Sequence, residues 1–143
     1  MQRTANAVWT GGLKDGKGSI TTQSGILSDT PYSFVTRFEN QTGTNPEELI
    51  AAAHAGCFTM ALSAQLGTIN FTAQSLRTTA TVTLEKLDVG WTISKVHLDV
   101  TARISGISAT AFESAAQSAK ANCPVSRLLK AEITMNAHLE QAA

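Results

Sequence analysis

Residues 44–62 read TNPEELIAAAHAGCFTMAL, and this stretch decides the fold class. Asn45 is placed to cap a helix, Pro46 suits its first position, and Glu48 can close a capping box. Glu47 and Glu48 stand in the first turn, where the helix dipole favours negative charge. Leu49, Ile50, Ala53, Cys57, Met60, Ala61 and Ala64 recur at steps of three and four. They span about 120° of helix surface, which predicts a buried stripe. Gly67 is a natural terminator. The small side chains at 51–53 and 55–56 let a second helix approach closely, so the element is expected to be central.

Working outward, the N-terminal side reads as short strands. Val8 and Trp9 precede a Gly11–Gly12 turn, residues 14–18 are polar and glycine-rich, and 19–22 form a second strand. Residues 32–38 are rich in aromatic and β-branched types and predict a third antiparallel strand. On the C-terminal side, residues 76–85 alternate, with Leu76, Ala80, Val82 and Leu84 on one face. Asp88 to Gly90 turn the chain into a long strand over 91–104, with Val96, Leu98, Val100, Ala102 and Ile104 inward. Broken parity at 91–93 predicts a bulge near Ser94. Thr110 and Glu113 fit a capping box for a helix that buries Phe112, Ala115, Ala116 and Ala119 and ends near Asn122. Cys123 and Pro124 then open a short helix over 125–130, and 132–140 is a last strand. The order β-β-β-α-β-β-α-α-β is α+β. With no repeat or linker, residues 1–143 are expected to form a single domain.

Composition narrows the function classes. Of 143 residues, 43% are hydrophobic and only 15% charged, and eleven Lys and Arg balance eleven Asp and Glu. A net charge of zero argues against a nucleic-acid partner, which a basic excess would attract. No run of about 18 consecutive apolar residues occurs, so no membrane span is expected. No export signal is visible in the first residues, which predicts a cytoplasmic protein with reduced thiols. No GxxxxGK[ST], GxGxxG or GxSxG motif is present. His54, His97 and His138 neither cluster nor pair with a CxxC, so no metal or cofactor is expected.

The informative residues are the two cysteines, Cys57 and Cys123. Cys57 lies within the amphipathic helix and reads as a small core residue or as a reactive thiol. Cys123 lies at a helix start, where amide groups and the dipole stabilise a thiolate. Local electrostatics therefore make Cys123 the more acidic thiol. Arg37, at the end of the third expected strand, and Glu47 read either as a solvated surface pair or as a bidentate pair aimed at a thiol. Glu47 and Cys57 are ten positions apart, about 15 Å along a straight helix and on faces differing by roughly 80°. For both to serve one site, the helix must depart from a straight course, arginine must bridge the gap, or a second subunit must supply the glutamate. Some departure from a simple straight helix is expected. His54, three positions before Cys57, could contact it as in a cysteine hydrolase, but no third residue is evident to orient the imidazole.

The motifs then converge. PYSF (31–34), TRFE (36–39), GTNPEEL (43–49), AAHAGCFTMAL (52–62), AKANCPVS (119–126) and LKAEI (129–133) together resemble the osmotically inducible protein C family. The likeness is to its OsmC branch rather than to its organic hydroperoxide resistance (Ohr) branch. The resemblance covers essentially the whole chain. It implies an OsmC-like fold of antiparallel strands around a central helix pair, in an intertwined homodimer whose front strands wrap the partner. It also implies a thiol-dependent peroxidase that reduces organic hydroperoxides, and hydrogen peroxide less efficiently. Cys57 would be peroxidatic and Cys123 resolving, with Arg37 activating Cys57 and Glu47 holding Arg37. A thiol or dithiol, such as a lipoyl group, would be the reductant, and no metal or cofactor would take part. Phe34, Phe38, Phe58 and Met60 are candidates for the wall of a substrate pocket or for plain core packing. The alternative is a non-catalytic, stress-induced small-molecule binding protein with structural cysteines.

Overall fold

The computed structural model describes residues 1–39 and 41–140. They form six strands and four helices: β1 (Ala5–Thr10), β2 (Lys17–Thr22), β3 (Thr30–Tyr32), α1 (Phe34–Phe38), α2 (Pro46–Thr68), β4 (Ser75–Leu87), β5 (Gly90–Arg103), α3 (Ala109–Asn122), α4 (Pro124–Leu128) and β6 (Glu132–Glu140). The chain divides into two compact units, Met1–Leu49 and Ile50–Ala143.

In the first unit β1, β2 and β3 make an antiparallel sheet. Gly18 pairs with Trp9 on one side and Tyr32 on the other, and the two rings meet with centroids 5.4 Å apart. A Cβ on Gly18 would fall 2.5 Å from the Tyr32 ring and 2.6 Å from the Trp9 ring, so only glycine admits this contact. The third strand is shorter than the sequence predicts. Residues 34–38 are helical, because Ser33 and Thr36 close a capping box that outweighs the strand preference of Phe34, Val35 and Phe38. The element order therefore carries one helix more than expected, and Arg37 ends a helix, not a strand.

In the second unit β4 and β5 pair antiparallel. Lys95 faces Thr83 and Ile93 faces Leu84, leaving Ser94 as the extra residue of the expected bulge. β6 runs parallel to β5, so the sheet is mixed rather than purely antiparallel. A parallel neighbour needs a crossover, which α3 and α4 supply. The inward residues of β5, Val96, Leu98, Val100 and Ala102, are buried against Phe112, Ala116 and Ala119 of α3, as the alternation and stripe predict. Ser108, not Thr110, caps α3, its hydroxyl accepting from the Ala111 amide at 3.2 Å.

α2 departs from its expected face. Its buried residues are His54, Phe58, Leu62 and Leu66. Cys57 and Ala61 are half-buried, while Ala53, Met60 and Ala64 are exposed, Met60 at 76%. The helix is apolar nearly all round, so a stripe of apolar positions did not single out one face. Asn45 caps it as expected, accepting from the Glu48 amide at 2.8 Å. α2 is one helix from Pro46 to Thr68, without the expected interruption. Among the described residues it is also the one helix long and apolar enough to cross a membrane by length and composition, a property that counting unbroken apolar runs missed. Its buried histidine and its place in the core are features of an interior helix.

Candidate active site

The first unit assembles the Arg37–Glu47 pair. Arg37 lies in the last turn of α1 and Glu47 in the first turn of α2. Asn45 joins the two, because its side-chain amide donates to the Thr36 carbonyl at 3.1 Å while its oxygen caps α2. Arg37 Nε then reaches Glu47 Oε1 at 3.3 Å and Oε2 at 3.1 Å, and Nη2 reaches Oε1 at 2.8 Å. Two guanidinium nitrogens on both carboxylate oxygens fix the plane of the cation. Glu47 is only 12% exposed at its side chain, so this is not the freely solvated pair the sequence left open. The Arg37 guanidinium also sits 5.2 Å from the Phe38 ring centroid. With Trp9, Leu13, Tyr32, Phe34 and Phe38, Arg37 lines a cavity of about 270 Å³, apolar except for that cation and its polar rim.

The second unit assembles the thiols. α2 carries Cys57, half-buried, and α4 begins at Cys123, fully buried. Their sulfurs stand 3.1 Å apart. That is about 1 Å beyond a disulfide bond, so two free thiols are held ready to join. Pro124 opens α4 at its first position, as predicted, and the amides of Val125 and Ser126 act on the sulfurs. The helix ends at Leu128, two residues short of the expected span.

Burial pushes the Cys57 thiol up, and the hydrogen bond and charge of Cys123 add to that, against the Val125 amide. At Cys123 burial also acts upward, but the Ser126 amide, the Cys57 thiol, the Ser126 hydroxyl and the Val125 amide together hold the thiol below its ordinary range. The two sulfurs are in hydrogen-bond contact, so the first ionisation belongs to the pair. Within this unit the opposite directions of the two shifts favour Cys123 as the more acidic thiol, as the helix-start argument expects. Any shift of charge to Cys57 requires a cation.

Of the sequence-predicted residues, Cys57 meets Cys123 and Arg37 meets Glu47. Phe34 and Phe38 line the cavity beside Arg37, whereas Phe58 is wholly buried in the core and is not among the residues lining that cavity. His54 turns away from a hydrolase role: its Nε2 meets Ser126 Oγ at 2.8 Å. Burial lowers its basicity, which favours the neutral imidazole. Ser126 had no assigned role, although its spacing of three from Cys123 mirrors that of His54 from Cys57. Among the described residues no three His, Cys, Asp or Glu converge to hold a metal.

Comparison with known proteins agrees with this geometry. Residues 39–138 match the family model described as OsmC-like protein. The chain is 51% identical over 140 residues to the peroxiredoxin OsmC of Escherichia coli strain K12, covering 98% of each chain. It superposes on the crystal structure of the organic hydroperoxide resistance protein OhrB of Bacillus subtilis with a TM-score of 0.68 and 25% identity, over 96% of this chain and 98% of that one. An OsmC-like protein from Mycoplasma pneumoniae shares the fold with a TM-score of 0.77 at 14% identity, over 99% of both chains. The α+β architecture, the two spaced cysteines and these likenesses agree, and the chain belongs to the OsmC-like protein family, on its OsmC branch.

Proposed function

We propose that this protein is a cysteine-based peroxidase that reduces organic hydroperoxides at the expense of an external thiol. The carrying observation is the pair of free sulfurs 3.1 Å apart on two different helices. Cys57, the more exposed of the two, attacks the peroxide oxygen as a thiolate. The O–O bond breaks, the alkoxide takes a proton and leaves as an alcohol, and Cys57 becomes a sulfenic acid. The Cys123 thiolate attacks the Cys57 sulfur, and the S–O bond breaks with loss of water. A thiol or dithiol reopens the disulfide by exchange and carries away the oxidising equivalents. For each peroxide reduced, two thiols are oxidised.

Arg37 is the cation proposed to draw the charge to Cys57 and to polarise the leaving oxygen, with Glu47 holding its plane. The aromatic lining beside Arg37 favours an alkyl or aryl peroxide over hydrogen peroxide. The chain is proposed to act as one domain in a cytoplasmic homodimer. Two surfaces support a second copy: the outer face of α2, where Ala53, Gly56, Met60, Ala64 and Gly67 lie exposed, and the thinly covered front sheet with Val8 and Leu13. Small residues at such a spacing let two helices approach closely, giving the central helix pair.

Thiol titration tests the reading. Wild type, Cys57→Ser and Cys123→Ser are each treated with one equivalent of an organic hydroperoxide without reductant. Wild type is expected to lose two thiols per chain to a reducible disulfide. Cys57→Ser should leave the peroxide unconsumed, and Cys123→Ser should stop at a sulfenic acid. Consumption that survives in Cys57→Ser but not in Cys123→Ser reverses the two roles. No consumption by wild type leaves the small-molecule binding reading.

A further inference from the structure

Two rungs connect α2 to α4. Cys57 faces Cys123 at 3.1 Å, and His54 faces Ser126 at 2.8 Å. Each pair is three residues along its own helix from the other, so the rungs lie side by side. The His54–Ser126 rung is the more deeply buried: His54 has no exposed surface and Ser126 is 8% exposed. A buried polar pair tends to destabilise the fold unless both groups are satisfied, yet His54 Nδ1 has no partner. An orphaned acceptor lone pair is tolerated better than an orphaned donor. The hydrogen therefore belongs on Nε2, which donates to Ser126 Oγ. The Ser126 hydroxyl then keeps its own hydrogen to donate, and the Cys123 sulfur, at the cap of the same short helix three residues earlier, is a group on which that hydroxyl acts.

We propose that His54 and Ser126 form a hydrogen-bond relay that positions and stabilises the Cys123 thiolate, as nucleophile when it closes the disulfide and as leaving group when a thiol reopens it. The proposal rests on the peroxidase reading above for its catalytic meaning. Cys123 is fully buried and Cys57 is not, so an incoming thiolate attacks the Cys57 sulfur. The S–S bond breaks and its electron pair goes to Cys123. A better-stabilised leaving thiolate departs faster. The relay supplies that stabilisation in a core whose other buried members, from β5 and α3, are apolar. Cys57 of α2 is the titratable group acting directly on Cys123, and His54 acts across the serine hydroxyl. Both residues are positioning residues that never touch the peroxide.

The test uses Ser126→Ala and His54→Leu, with Ser126→Thr and His54→Gln as variants that keep a donor in place. In a Cys57→Ala background Cys123 is the only thiol, and its ionisation is followed by thiolate ultraviolet absorbance against pH. Ser126→Ala and His54→Leu are each expected to raise the midpoint by about one pH unit, the worth of one hydrogen bond to a charged group. Ser126→Thr and His54→Gln should stay near the parent midpoint. With Cys57 present, Ser126→Ala should close the disulfide from the preformed sulfenic acid, and reopen the preformed disulfide, about tenfold more slowly. The double variant Ser126→Ala/His54→Leu should be no slower than Ser126→Ala. A midpoint unmoved by Ser126→Ala and His54→Leu overturns the relay, as does an equal shift in the donor-keeping variants. A wild-type protein that consumes no hydroperoxide overturns the peroxidase reading instead, and the midpoints still decide the relay.

Discussion

Replacing Glu47 by glutamine isolates what the carboxylate does for Arg37. The side chain keeps its length and shape, so the start of α2 and its Asn45 cap are preserved. In the native pair Arg37 places two nitrogens on two acceptor oxygens, through contacts of 2.8, 3.1 and 3.3 Å. Glutamine keeps one oxygen and turns an N–H₂ group toward the other guanidinium N–H, so one arm of the fork becomes a donor–donor clash. A hydrogen bond between charged groups is worth about 1.5–3 kcal/mol, and losing it also frees the long arginine side chain to explore other rotamers. On the role proposed for Arg37, a misdirected guanidinium would no longer meet the charge that develops on the leaving oxygen. The rate of sulfenic acid formation should therefore fall about ten- to a hundredfold. Reduction of the preformed Cys57–Cys123 disulfide by a dithiol should be unchanged, since that step needs no arginine. Stopped-flow oxidation by an organic hydroperoxide, followed by separate reduction of the oxidised protein, measures both halves. A variant that oxidises within a factor of about two of wild type would show that Glu47 does not hold the catalytic orientation. Equal losses in both halves would point to a general disturbance of the fold.

Three further outcomes are expected. Phe58→Ala, at a wholly buried position among Leu62, Leu66 and Val96, should cost about 3–5 kcal/mol in denaturant unfolding; a loss below about 1 kcal/mol would mean the core is not built around that ring. Burial holds His54 below its ordinary value of 6.5, so the unfolded chain takes up its proton first; stability from this residue is present above that pH and declines as pH falls through and below it. The urea midpoint should accordingly fall less between neutral and mildly acidic pH in His54→Gln than in wild type, and identical slopes would exclude the histidine as the cause. Met60→Glu places a charge on the exposed apolar face of α2 and, for the homodimer proposed above, should shift the sedimentation profile from dimer to monomer without loss of helix content; a dimer that persists would place the interface elsewhere.

Much of the second unit was readable from spacing. β4 and β5 alternate because one face of each lies on the core, and the misfit before Ser94 marks the bulge. The α3 stripe was equally clear, since Phe112 and three alanines stand among polar residues. The α1 segment was not, because its aromatic and β-branched residues favour a strand while its cap favours a helix. Ser33 and Thr36 reciprocate across that cap, and a local hydrogen-bond pattern decided against propensity. The face of α2 was unreadable for another reason: apolar residues lie on more than one side, and periodicity discriminates only when polar residues occupy the other. Parallel pairing of β6 with β5 was likewise invisible, since the alternation of a strand is the same in either direction.

By itself the sequence determined the α+β class, the capped helix carrying Cys57, the second cysteine at a helix start, and the family to which the motifs belong. Those features rest on local chemistry: caps, proline positions, alternation and fixed residue patterns act over a few residues. Tertiary structure alone decided that Cys57 and Cys123, 66 residues apart, stand sulfur to sulfur, and that His54 looks to Ser126 rather than to its helical neighbour. It also decided that Glu47 grips Arg37 through two nitrogens. Such contacts join residues distant in sequence, and only the packing of α2 against α4, or the tie between α1 and the start of α2, determines which side chains meet.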